Sequence, residues 1–193
     1  MELFAETIDA VLKHLRIRKY ILVGHSLGGY ISLALAKINF TKIKGLCLLN
    51  STSYEDSEER KKLRIRANKM VQNNFENMVK LSISNLFHQE NLAAFKEQID
   101  AVKKEALQTS LQGYIAAQEG MKLRSNSNAV LSENNFKKLL IIGEKDPVLD
   151  FQTSLEEAKK TNSELIIFPD GHMSHIENTI ELIAVLKEFL KSC

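Results

Sequence analysis

Two rhythms of apolar residues divide this chain. Tyr20–Gly24, Ile43–Leu49, Phe136–Ile142 and Leu165–Phe168 are short apolar runs without a period of two, the pattern of parallel strands covered on both faces. Between them the apolar positions fall at helical spacing. Met1–Arg18 carries Leu3, Phe4, Ile8, Val11, Leu12 and Leu15, which predicts an amphipathic helix with one buried stripe. Further helices are predicted over Leu27–Ile38, over Thr153–Lys160, and at the end through Ile176, Ile180, Ile183, Leu186, Phe189 and Leu190. Helices separating apolar strands imply an α/β architecture, a mostly parallel sheet with flanking helices and adjacent strands in chain order.

The pattern changes after Asn50, and no buried strand follows until Leu139. Leu63, Ala67, Met70 and Val71 share one helical face, Phe75, Met78 and Val79 suggest another, and Leu92 to Ile115 a long third. Residues 51–134 are therefore expected to be a helical lid insertion over the sheet's active edge, between core parts 1–50 and 135–193. The charges of Glu55–Lys69 read as a solvated helix face, and Ser125–Asn128 as a flexible polar turn.

Composition changes this picture little. The 193 residues are 44% hydrophobic and 26% charged with a formal charge of +2, ordinary for one globular domain and no reason to expect a nucleic-acid partner. Cys47 sits in an apolar run and is expected to be buried, the terminal Cys193 exposed; no disulfide framework is implied, which suits a reducing, cytoplasmic setting. No apolar stretch is long enough for a membrane span.

The candidate chemistry starts where the Tyr20–Gly24 run meets a helix, in Gly24-His25-Ser26-Leu27-Gly28-Gly29-Tyr30. A serine there sits on a tight strand-to-helix turn with strained dihedrals and an exposed hydroxyl. Gly24 and Gly28 both suit it, because a Cβ at either position is expected to collide where strand and helix cross. The first N–H groups of the helix, Leu27 foremost, point back over the serine and can stabilise an oxyanion. A serine needs a base, and an imidazole needs a carboxylate to fix its tautomer. Asp146 and His172 each lie four residues beyond an apolar strand, where open α/β sheets place their sites. Asp146 also suits a plain turn aspartate, and His172 a structural loop histidine. His175 is the less favoured base and is read as starting the last helix or lining the pocket. His25 is read as a packed, hydrogen-bonded residue. No metal site is expected, because paired histidines without a clustered carboxylate or thiol are poor evidence for one.

Together, Gly24–Tyr30, the loop Gly143–Val148 and the stretch Asp170–Glu177 resemble the nucleophile elbow, acid loop and histidine loop of the α/β-hydrolase superfamily. The resemblance covers nearly the whole chain and is strongest to small esterase, lipase and lactonase-like members. It implies Ser26 as nucleophile, Asp146 as orienting acid, His172 as base, Leu27 N–H as one oxyanion donor, and no cofactor. Members normally have further strands ahead of the elbow strand, with a loop, usually containing His-Gly, that gives the second oxyanion donor. This chain starts about twenty residues before the elbow strand and has none of them.

Two functions follow. The first is a serine hydrolase acting on a small ester or related acyl compound; carbon–carbon or peptide bond hydrolysis uses the same residues. The second is a weakly active or non-catalytic scaffold or interaction protein, because one missing oxyanion donor costs roughly 3–4 kcal/mol of transition-state stabilisation. The unpaired edge of Tyr20–Gly24 is a pairing liability, and a homodimer joined through it is expected.

Overall fold

The computed structural model describes residues 1–193. Strands β1 (Tyr20–His25), β2 (Ile43–Leu49), β3 (Lys137–Gly143) and β4 (Glu164–Phe168) form one sheet in chain order, and every neighbouring pair is parallel. His25 lies opposite Leu49, Leu49 opposite Ile141, and Gly143 opposite Phe168. That register aligns the carboxyl ends of the strands, so the loops after them emerge side by side.

The strands lack alternation because both faces are covered. On one face Leu33 and Ala36 of the helix after β1 pack with Leu46, Leu48, Leu140 and Ala158. On the other, Leu182 and Phe189 of the closing helix pack with Cys47, Leu49, Leu139, Ile141 and Phe168. The helices are α1 (Glu2–His14), α2 (Leu27–Asn39), α3 (Glu58–Val71), α4 (Phe75–Ser84), α5 (Lys96–Ala106), α6 (Leu111–Leu123), α7 (Asn128–Ser132), α8 (Phe151–Thr161), α9 (Ser174–Glu177) and α10 (Thr179–Ser192).

Two apolar stripes differ from expectation. α1 turns Met1, Ala5 and Leu12 to α2, while Leu3, Phe4, Ile8, Val11 and Leu15 remain 38–76% exposed. The small Ala5 side chain lets the two helices approach, and Asp9 on the same face is held by Asn39 and Lys13. The last helix breaks at Asn178, and α10 buries Leu182, Val185, Leu186 and Phe189 against the sheet. Ile180, Ile183 and Leu190 point outward.

Helices α3 to α7 lie outside the sheet. The single long helix expected over Leu92–Ile115 is two, because the chain turns before Ser110, whose Oγ caps α6 by accepting from Gly113 N–H. α3 turns Asn68 and Val71 inward and leaves Leu63 and Met70 exposed. Nor is the charged stretch wholly solvated. Asp56 is buried between Arg64 and Arg124, which also stacks on Tyr30. Burial pushes the Asp56 carboxyl up, but the two guanidiniums outweigh it and hold it below its ordinary value. The Ser125–Asn128 turn is anchored, with Ser127 N–H donating to the Ser53 carbonyl and the Asn128 amide to Ser53 Oγ. Cys47 is buried; Cys193 is half-buried beside Gly45 and Phe189 rather than exposed.

Candidate active site

Ser26 joins β1 to α2 with φ 50° and ψ −116°, a conformation that costs a non-glycine residue about 1–3 kcal/mol unless its surroundings hold it. Three hydrogen bonds do so. Its N–H donates to Leu49 O at 3.0 Å, and its carbonyl accepts from Gly29 N–H at 2.9 Å and from Ser51 Oγ at 2.8 Å.

Gly24 permits the crossing, since a Cβ there would lie 2.5 Å from Gly28 O and 2.6 Å from Gly29 Cα. Gly28 differs from expectation: its Cβ would meet open space, and Gly29 is the second constrained position, pressed against Ser51. Gly24→Ala is thus expected to cost about 2 kcal/mol or more of folding stability. Gly28→Ala should be neutral or stabilising within about 1 kcal/mol. Urea unfolding of both variants checks this, and equal losses would contradict it.

Asp146 sits in the loop after β3, and its Oδ1 accepts from the N–H groups of Val148 at 2.7 Å and Leu149 at 3.0 Å. Gly143 brings this loop against the next, because a Cβ there would strike the carbonyls of Asp170 and Gly171. His172 follows, fully buried, with Nδ1 at 2.7 Å from Asp146 Oδ2 and Nε2 at 2.8 Å from Ser26 Oγ. The three residues expected from sequence therefore form one continuous hydrogen-bonded line. Burial pushes the Asp146 carboxyl up, but bonds from His172 and the two backbone N–H groups leave it below the ordinary carboxylate value. That line suits proton removal from a hydroxyl, with a buried anion to stabilise the imidazolium.

Leu27 N–H, at the first position of α2, has no acceptor within the chain, and Ser26 is only partly covered. A second donor from a His-Gly loop has no counterpart among residues 1–193. His25 is packed as expected, with Nε2 donating to the His172 carbonyl at 2.8 Å. Desolvation lowers its pKa to about 4, so it stays neutral there. His175 is exposed, stacks edge-on against His25, and bonds neither Ser26 nor Asp146. No group of three metal-ligating side chains is present.

Several residues at the site were not singled out from sequence. Asn50, with φ 44°, donates its amide to Asp146 Oδ2 and to Gly171 O. Glu157 is fully buried on α8 and accepts from Ser53 N–H and Oγ, holding the loop that carries Ser51. Burial raises its pKa despite those bonds. The segment after α4 clasps the histidine loop. His172 N–H donates to Leu86 O, His88 N–H to Glu177 and the Asn91 amide to both Asp170 and Glu177. Between α3 and the acid loop lies a cleft of about 150 Å³, lined by Tyr30, Tyr54, Arg60, Arg124, Val148 and Leu149.

Known structures share this arrangement of elements. The chain superposes on a thermophilic esterase from Thermogutta terrifontis with a TM-score of 0.91 and 24% identity, covering 99% of this chain and 72% of that one. A structure from work on carboxylesterases of Nitrososphaera gargenis gives 0.84 and 23%, covering 97% and 70%. The enol-lactonase of Burkholderia xenovorans LB400 gives 0.87 and 16%, covering 97% and 71%. No curated protein matches the sequence. No helix is long and apolar enough to cross a membrane. The sequence model of the alpha/beta hydrolase fold matches residues 1–179, and the chain belongs to that family.

Proposed function

We propose that this protein is a serine hydrolase that cleaves a small ester or related acyl compound through an acyl-enzyme on Ser26. The observation that carries this reading is the unbroken line from Ser26 Oγ through the His172 ring to Asp146. Ser26 Oγ attacks the carbonyl carbon while His172 Nε2 takes its proton, and Leu27 N–H faces the oxyanion. The tetrahedral adduct collapses, the bond to the leaving oxygen breaks, and His172 returns the proton to that oxygen. Water then attacks the acyl-enzyme with His172 again as base, releasing the acid and restoring Ser26. No step needs a cofactor.

Residues 51–134 serve as the lid in this reading, and two unpaired thiols suit a cytoplasmic setting. The esterase and lactonase activities named for the superposed proteins support ester chemistry here. The test is turnover of p-nitrophenyl acetate. Release above that of a Ser26→Ala control supports the reading, and no difference between them overturns it.

Assembly belongs to the same proposal. The outer edge of β1 has no neighbouring strand, and Val23 on it is 44% exposed. Phe4, Ile8 and Val11 of α1, with Leu15 just past its end, repeat at the four-three-four spacing of a helix–helix seam, with Glu2 and Glu6 at one end and Lys13 at the other. A second copy related by a two-fold axis would pair Tyr20–Gly24 antiparallel and set opposite charges together. Sedimentation over a wide concentration range should give a dimer. A folded monomer at high micromolar concentration would contradict it.

A further inference from the structure

Asn50 is fully buried at the carboxyl end of β2, and its N–H donates to Ile141 O, which ties that end of the strand to β3. Its side-chain nitrogen lies 3.2 Å from Asp146 Oδ2 and 3.2 Å from Gly171 O. Both neighbours can only accept, so both must receive an N–H, and the amide has one orientation that serves them. The carboxylate oxygen it binds is the one that meets His172 Nδ1. The carbonyl it binds belongs to the residue just before His172. One amide therefore spans the acid and the base of the line described above, from a third loop.

We propose that Asn50 is a positioning residue that bridges Asp146 and Gly171 and so sets the orientation and strength of the Asp146–His172 pair. This rests on the serine hydrolase reading for its consequence in activity, although not for its effect on His172. The amide draws charge from Asp146 Oδ2 and restrains that oxygen, which also accepts from His172 Nδ1. Without it, Oδ2 keeps its full charge for His172 and stabilises the imidazolium more, so His172 binds its proton more tightly. The other titratable rings beside His172 are His25 from β1, 5.3 Å away between ring centroids, and His175 from α9. Neither of them touches Asp146 Oδ2.

Two variants separate this role from a structural one. Asn50→Gly removes the amide while tolerating φ 44°, and Asn50→Asp keeps the shape but, as a second buried carboxyl against Asp146, holds a proton and can donate to only one of the two partners. The imidazole titration of His172, followed by NMR on histidine-labelled protein, should move to higher pH in Asn50→Gly and by less in Asn50→Asp, where the shared proton keeps one donor on the pair. Labelling of Ser26 by a fluorophosphonate at neutral pH should slow on the order of 10- to 100-fold in both. An unmoved midpoint in folded variants would overturn the proposal. If the wild type resists the fluorophosphonate, the serine hydrolase reading fails, and the NMR midpoints still decide the role of Asn50. If either variant fails to fold, the other carries the same two measurements.

Discussion

Ser26→Ala and His172→Ala are each expected to remove nearly all ester turnover, on the order of 10⁴–10⁶-fold, and the double variant should lose little more. Non-additivity is the signature of a unit. Without the hydroxyl the imidazole has nothing to deprotonate, and without the imidazole the hydroxyl stays protonated at neutral pH. Asp146→Asn should cost less, about 10⁴-fold, because the amide favours the wrong imidazole tautomer while leaving nucleophile and base in place. His175→Ala should keep most of the activity, since its exposed ring contacts His25 and bonds no member of the line. Steady-state kinetics on the five variants check this. Equal losses in His175→Ala and His172→Ala would show that the base is assigned to the wrong ring.

Folding stability is expected to fall by about 3 kcal/mol through His25 alone as pH drops from about 6.5 to about 4. Desolvation disfavours the charged ring, and His172 and His175 nearby oppose a further positive charge. In that window the unfolded chain binds a proton at His25 that the folded chain refuses, so the stabilisation present above 6.5 is lost on acidification. His175, exposed on its outer side but desolvated where it backs onto His25, is also lowered and adds in the same direction. Asp146, lowered below its ordinary value, loses its contribution only at more acid pH. Glu157, raised by burial, acts oppositely and gains stability as it protonates. The clean measurement is therefore the difference between wild type and His25→Gln in urea unfolding across this range. The variant should be less sensitive to acid, and parallel curves would mean that His25 is not buried neutral.

The order of the sheet and the three polar residues at its edge were legible because each has a local cause. A run such as Leu139–Ile142, apolar on consecutive positions, has one stable use in a soluble fold, and a serine between a strand and a helix is exposed by its own turn. What was not legible depends on neighbours distant in sequence. An apolar spacing on α1 identifies a helix but not which side meets α2, and the small Ala5 rather than Phe4 or Ile8 makes the close contact. Arg64 is on the inward face of α3 only because Asp56 waits there. Gly28 looked constrained by its place in a motif, whereas the backbone crossing falls at Gly24 and Gly29. Asn50 and Glu157 carry no signal of their own, because a buried amide or carboxylate is recognisable only once its donors and acceptors are in place.

The most direct test of a reactive Ser26 is the intact mass of the protein after exposure to a fluorophosphonate near neutral pH, followed by peptide mapping. A working Ser26–His172–Asp146 line predicts one adduct per chain, on Ser26, absent in Ser26→Ala and strongly slowed in His172→Ala. A natively folded chain that stays unmodified, or carries its adduct elsewhere, would contradict it.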